Sequence, residues 1–294
     1  CNLTVKVEFE RIVYTVVFTV PEGHGTLTAQ SDGIAATADS PITVEHGKTV
    51  TFTAEPKYGW EVEGWTASAG TLSGGGTGTT ATLKVTDNAT VKVKFKKITT
   101  VNSTDNLPWK LLKKVVEIAD NNATITINGE IKATNAPGNS GEIVIDKNLT
   151  IKKADGAASA VLDANKDTDG KPKHRIFKVE GGKTLTLTNL TLKGGKPDGL
   201  DEEGGGGGIL VKGSTLKMTD CAVTGNTAQD GGGIFAKEDG STASAVTISG
   251  GFIGSDGTGT DANKSTGYGG GGGIYIDEDC SLTMKENVKI IGNQ

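Results

Sequence analysis

Gly207-Gly-Ile209-Leu-Val211, followed by Leu216-Lys-Met218, Val223 and Gly225-Asn226, decides the fold because the pattern returns. Gly232-Gly-Ile234-Phe precedes Val246-Thr-Ile248, Ile253 and Gly254, and Gly272-Gly-Ile274-Tyr-Ile276 precedes Leu282-Thr-Met284, Ile290 and Gly292-Asn293. Upstream, Ile176-Phe-Lys-Val179 precedes Leu185-Thr-Leu187, Leu190-Thr-Leu192 and Gly194-Gly195. Each unit holds three short alternating strands, and units recur every 25 to 40 residues, the excess lying in Gly/Asp/Ser-rich insertions such as 255–267. A strand trio this short cannot bury its apolar side chains alone. Wound into a coil, each rung stacks ~4.8 Å above the last and pairs its strands in parallel, so the inward Ile, Leu, Val and Met side chains form ladders. Gly-Gly and Gly-Asn mark the corners, where the backbone turns sharply and often needs positive φ. Asn226 and Asn293 fall at matching corners and are expected to hydrogen-bond backbone there. The pattern predicts a right-handed parallel β-helix over 121–294.

Working outward, the coil needs an end cap, because a first rung would expose apolar side chains and unpaired strand edges. Leu111, Leu112, Val115, Val116 and Ala119 fall at helical spacing after Pro108, with lysines between them. This predicts one amphipathic helix over 107–120, with Pro108 in its first turn and Asn106 or Asp105 as N-cap. The polar run 99–106 reads as linker, giving a linker-and-cap segment over 98–120.

Residues 12–97 read as a separate small all-β module. Tyr14–Val20, Thr49–Ala54, Ala81–Val85 and Val91–Phe95 alternate Thr or Lys with β-branched and aromatic residues, the period-2 mark of half-buried strands. Lys92, Lys94 and Lys96 share one face of the last strand and are expected to blunt an exposed edge. One motif has fixed offsets: Pro56 ends a strand, Gly59 permits a tight turn, Val62 points inward, and Trp60 and Trp65 enlarge a small core. The same aromatic pair could instead stack on sugars.

With the closing Asp87-Asn-Ala-Thr-Val91 strand, this motif resembles the bacterial repeat modules related to the internalin B-repeat family. The resemblance implies a spacer or presentation module on secreted, surface-anchored bacterial proteins, and no catalysis. The Gly-Gly-Ile and Gly-Asn pattern resembles the polymorphic outer-membrane-protein repeats and related pectate-lyase-like β-helices of bacterial surface proteins. The Phe-x-x-Asn signature of those repeats stands here as Val223-x-x-Asn226 and Ile290-x-x-Asn293.

Composition removes several functions. Net charge is −5, with no clustered basic face for nucleic acid, and no apolar run long enough to cross a bilayer. Three histidines (His24, His46, His174) and two arginines (Arg11, Arg175) argue against a His-based metal cage, a Ser-His-Asp triad or an Arg-rich phosphate site. The glycine runs 204–208 and 269–273 lack the Gly-Lys-Ser/Thr ending of a phosphate loop. No cofactor or metal is expected. Cys221 and Cys280 fall about two rungs apart, too far for a disulfide, so both are expected as free thiols. Asn88, Asn122, Asn148 and Asn189 begin Asn-x-Ser/Thr sequences but precede strands, and read as turn residues.

A lyase or hydrolase would need converging carboxylates, with a Lys or Arg base in the lyase case. Candidates are Asp198, Asp201, Glu202 and Glu203; Asp277, Glu278 and Asp279; and Asp163, Asp167 and Asp169. None recurs at matching positions on consecutive rungs, so they read as solvated loop residues. His174-Arg175 reads as a structural or exposed basic couple.

Leu3–Phe9 reads almost like Ala89–Phe95, so 1–11 is expected to be the closing strand of a preceding module, and the chain a piece of a longer one. Alternatively Cys1 is the lipid-modified first residue of a mature lipoprotein. The expected function is a non-enzymatic surface protein, adhesin-like or a structural scaffold. It would present a rigid face to a host or matrix protein or glycan, at the bacterial cell surface, outer-membrane-associated or secreted. The alternatives are a carbohydrate-active β-helix and a glycan-binding module using exposed aromatics such as Tyr268 and Tyr275.

Overall fold

A computed structural model describes residues 4–165, 173–198, 204–255, 261–267 and 270–294. Cys1, Asp167, Asp169, Asp201, Glu202, Glu203, Tyr268 and Gly269 lie outside them. The fold is all-β with a single helix among the described residues: a small β-module, then a helix-capped right-handed parallel β-helix whose sheet curls through 298°. Contacts divide the chain into two compact units, 1–98 and 99–294.

In the first unit, two sheets face each other. One runs Ile42–Glu45, Val13–Thr19, Ala89–Lys97, Trp60–Ala67, and the other Ile34–Thr37, Gly25–Ser31, Thr49–Pro56, Thr80–Lys84, Leu72–Gly74. Inward positions of both meet in one core that includes Val16, Phe18, Phe52, Val62, Leu83 and Phe95. Lys92, Lys94 and Lys96 are exposed; their strand pairs with Trp60–Ala67 through Lys97 but with Val13–Thr19 only up to Lys92, so Lys94 and Lys96 stand where one edge has no strand partner in these sheets. Residues 4–12 form no strand with the rest of the chain. Val5, Val7 and Phe9 find no sheet to join within the chain and stay exposed.

The second unit is built rung by rung. Each full rung contributes a strand to sheet III, then sheet I, then sheet II, and all pairings between rungs are parallel. Sheet I stacks Thr100–Asn102, the first half of Ala123–Lys132, Leu149–Lys153, Thr184–Thr188, Thr215–Thr219, Ala245–Ser249 and Ser281–Lys285. Sheet II begins with the second half of Ala123–Lys132 and ends with Lys289–Ile291, and sheet III runs from Ile143–Ile145 to Ile274–Ile276. Thr100–Asn102, expected within a linker, is a strand of the coil.

Register explains the core. Leu149, Leu185, Leu216, Val246 and Leu282 form one inward ladder, and Ile151, Leu187, Met218, Ile248 and Met284 another. Sheet II adds Ile131, Leu162, Leu192, Val223, Ile253 and Ile290. Most of these side chains are fully buried, each stabilising the coil by about 1.5–3 kcal/mol before entropy is counted. On the last rung the ladders end with Met284 and Ile290 exposed.

The glycine pairs have a different cause from the one expected. Gly232 and Gly233 do not have positive φ; a Cβ on either would stand 2.5 Å from the carbonyl oxygen of Gly272 or Gly273 on the next rung. Close approach between rungs excludes a side chain there. Positive φ is used at Gly225 and Gly292, which turn the chain just before Asn226 and Asn293.

The helix, Pro108–Ile118, packs on Thr100–Asn102, Ala123–Lys132 and Ile143–Ile145, covering the start of the coil. Trp109, Leu111, Leu112, Val115 and Val116 are its buried face. Neither Asn106 nor Asp105 caps it: Leu107 holds that position in a left-handed conformation with no side-chain cap bond, because Asp105 accepts the Asn102 backbone N–H at 2.7 Å instead.

Candidate functional site

The corners come first, because they hold the faces in place. Asn226 is fully buried; its Oδ1 accepts the Gly195 N–H at 2.8 Å, and its Nδ2 donates to Leu192 O and Thr224 O. It also donates to Asn263 Oδ1 at 3.0 Å, and Asn263 Nδ2 donates to Asn293 Oδ1 at 3.1 Å. Asn293 Nδ2 reaches Ile253 O at 3.0 Å. The two expected corner residues are therefore ends of an asparagine ladder with Asn263 in the middle. Of the asparagines beginning Asn-x-Ser/Thr, Asn122 and Asn189 adopt positive φ, while Asn88 and Asn148 accept backbone N–H groups through Oδ1.

Charged groups converge on the outer face of sheet II, contrary to the reading of Asp163 as a solvated loop residue. Asp163 is buried at the end of its strand, between Lys132 on one neighbouring rung and Lys193 on the other, at 3.5 and 3.7 Å. Lys193 also pairs with Glu130 at 2.8 Å. Bonding to Lys193 holds the Glu130 carboxyl below its usual range, and Glu130 in turn raises Lys193. Both groups are thus held ionised. A lyase base must be deprotonated, and a glycosidase acid must be protonated. Lys193 is therefore not poised as a lyase base, nor Glu130 as a glycosidase acid.

Asp277, Glu278 and Asp279 form a turn in which Asp277 Oδ1 accepts the Glu278 N–H at 3.0 Å, and Asp198 pairs at 3.7 Å with Lys173. No cluster of metal-binding residues occurs among the described residues. His174 and Arg175 are both buried. Arg175 pairs with Glu142 at 3.0 Å, and His174 Nδ1 donates to Arg175 O at 2.7 Å, against the ring of Trp109 at 5.3 Å. Burial, the largest effect, lowers the His174 pKa, and Lys113 adds to it. Cys221 and Cys280 are free thiols, and burial pushes Cys221 up to about 11, far from a reactive thiolate.

The outward positions of sheet I make a different surface. Thr124, Thr150, Thr186, Lys217, Thr247 and Thr283 form one column along the coil axis. Beside it run Thr126, Lys152, Thr188, Thr219, Ser249 and Lys285. At the start of the second column the Thr100 and Thr126 Oγ1 atoms are hydrogen-bonded, 2.8 Å apart. Asn122, Asn148, Thr150, Thr184 and Thr186 line a shallow polar groove on this face. Nothing in the periodicity singled it out, since alternating threonine is also what any half-buried strand shows.

In the first unit the motif residues meet as a core edge. Pro56 ends its strand, Gly59 turns with φ 89°, and Val62 is buried. Trp60 stacks on His24 with ring centroids 3.6 Å apart, and Trp65 Nε1 donates to Gly78 O at 2.8 Å. Both tryptophans pack partly buried against the core. Residues 14–99 match the divergent InlB B-repeat domain family. The tryptophans thus pack inside the stretch that is similar to a B-repeat: one face of Trp60 is taken by His24, and the Trp65 indole N–H by the backbone. No curated protein and no solved structure matches the chain. Tyr275, the other aromatic of interest, is half-buried beside Phe235, ring centroids 5.3 Å apart.

Proposed function

We propose that this chain is a non-enzymatic component of a bacterial surface or secreted protein, adhesin-like or a scaffold, in which a B-repeat module precedes a rigid β-helix that presents its sheet faces to partners. The observation that carries this reading is the unbroken register of sheet I from Thr100–Asn102 to Ser281–Lys285. Interlocked ladders, glycine contacts and asparagine corners fix a flat surface that needs no ordering when a partner docks. The B-repeat match at 14–99 supports a surface location, as does the likeness of the Gly-Gly-Ile and Gly-Asn pattern to polymorphic outer-membrane-protein and pectate-lyase-like repeats. No helix among the described residues is long and apolar enough to span a membrane.

The carbohydrate-active reading retains one observation, the convergence of Glu130, Asp163, Lys132 and Lys193 on adjacent rungs. The two readings separate in one experiment. The chain is incubated with acidic and neutral polysaccharides and Ca²⁺, and polymer length is followed by size exclusion. Unchanged length is expected; shortened polymer would overturn the non-enzymatic reading.

A further inference from the structure

We propose that Thr4–Ile12 completes a second β-sandwich of the build of 12–97, joined ahead of it on the same polypeptide, and that Glu10 selects one with a basic residue where this module has Glu61. The first ground is a shared pattern in opposite surroundings. Thr4–Ile12 and Thr90–Ile98 both read Thr-Val-Lys-Val-x-Phe-x-x-Ile. Val91, Val93 and Phe95 are buried in the module core, and Ile98 is half-buried. Their counterparts Val5, Val7, Phe9 and Ile12 are 76%, 65%, 92% and 61% exposed. An alternating strand that leaves its whole apolar face in water has a sheet to join elsewhere.

The second ground is what the slot must offer. In this module Ala89–Lys97 lies between Val13–Thr19, which it meets in parallel, and Trp60–Ala67, which it meets antiparallel. The Phe95 ring lies against Gly25, where a Cβ would stand 2.5 Å from Cζ, and the Ile98 N–H donates to Gly59 O at 2.9 Å. A sandwich that accepts Phe9 and Ile12 in the same way has glycines at both places. Removing the strand between Val13–Thr19 and Trp60–Ala67 would cut that sheet in two, so the acceptor is not a freestanding sandwich. It is one that runs directly into Thr4–Ile12 and has no other strand for the slot. A second copy of this chain fills the same slot with its own Ala89–Lys97.

Charge is the third ground. Lys96 stands opposite Glu61 in the register and pairs with it at 3.3 Å. Glu10 takes the place of Lys96 in the matched pattern. Like charges directly opposite each other on neighbouring strands are destabilising. A sandwich suited to Thr4–Ile12 therefore carries Lys or Arg at the position of Glu61.

The test joins a copy of residues 13–88, the module without its last strand, to Leu3 of the full chain in place of Cys1 and Asn2. Hydrogen exchange is read on residues 4–9, whose sequence occurs once. Their amides are expected to exchange at least about a hundredfold more slowly in the extended chain than in the chain alone. V5D together with V7D should abolish that protection. In the chain alone the same pair should leave the unfolding midpoint of the 12–97 module unchanged. E61K in the added copy should raise the urea concentration at which 4–9 loses protection, by roughly 0.3 M. E61K in the original module, facing Lys96, should lower that module's midpoint instead. Unprotected 4–9 amides in the extended chain overturn the strand assignment, and an added copy that gains nothing from E61K overturns the selection by Glu10. Protection already present in the chain alone, rising with its concentration, would make a second copy the acceptor and overturn the assignment too.

Discussion

Asn226 shows how single side chains hold the coil. It has no exposed surface, and its amide satisfies backbone groups on two rungs as well as its neighbour Asn263. Asn226→Ala leaves Gly195 N–H and two carbonyls short of partners in a buried corner. A loss of about 3 kcal/mol in the urea unfolding of the coil is expected. Gly-Asn made Asn226 and Asn293 legible in the sequence. Asn263 was not, because Ala262 precedes it and the insertion around it hides the rung spacing. His174 makes a pH-dependent prediction. Its pKa in the folded protein is lowered from 6.5, chiefly by burial, while Lys113 opposes a proton and the Arg175 carbonyl and Glu142 favour one. A base with a depressed pKa takes up protons more readily when unfolded. Its contribution is therefore complete above pH 6.5 and is lost as pH falls through 6.5 toward the folded value. His174→Gln is expected to flatten the fall in coil stability between about pH 7 and 5, measured by urea unfolding at each pH. An unchanged slope would mean that other groups carry it.

At the scale of elements, the cap is the one place among the described residues where the coil depends on a helix. Trp109 is fully buried, and its Nε1 donates to Gly141 O at 2.8 Å, tying the helix to the loop before sheet III. Trp109→Ala removes this anchor and opens a cavity over the first rung, at a cost of about 3–5 kcal/mol. Hydrogen exchange should rise first in Thr100–Asn102 and Ala123–Lys132, the strands beneath the helix, and least in Ser281–Lys285. Uniform exchange along the coil would contradict nearest-neighbour stacking. The helix was legible from its apolar spacing and from the need to cover an open rung. Its start was not, since Asp105 has two local backbone partners to choose between, and spacing alone does not say which it takes. The same limit applies to Asp163: an acidic residue beside an insertion reads as solvated, and only the pairing of Lys132, Asp163 and Lys193 in one register column reveals a buried carboxylate between two part-exposed lysines.

For the whole molecule, the two units differ in how their stability is built. The first closes one core between two sheets; the second adds similar increments rung by rung, with each strand resting on its neighbours. The division falls between Ile98 and Thr99, where the last strand of the module ends and the first strand of sheet I begins. Neither unit borrows a strand from the other. Each therefore has the means to fold alone, and a chain of this kind has no reason to unfold in one step. Urea unfolding of the full chain is expected to show two transitions. Tryptophan fluorescence would report them separately, because Trp60 and Trp65 belong to the first unit and Trp109 to the cap of the second. Trp109→Phe leaves signal from the first unit alone, and its transition should keep its midpoint. Residues 99–294 produced on their own should reproduce the other midpoint. A single transition, or a midpoint that moves when the other unit is cut away, would mean that the two share stabilising contacts and fold as one body.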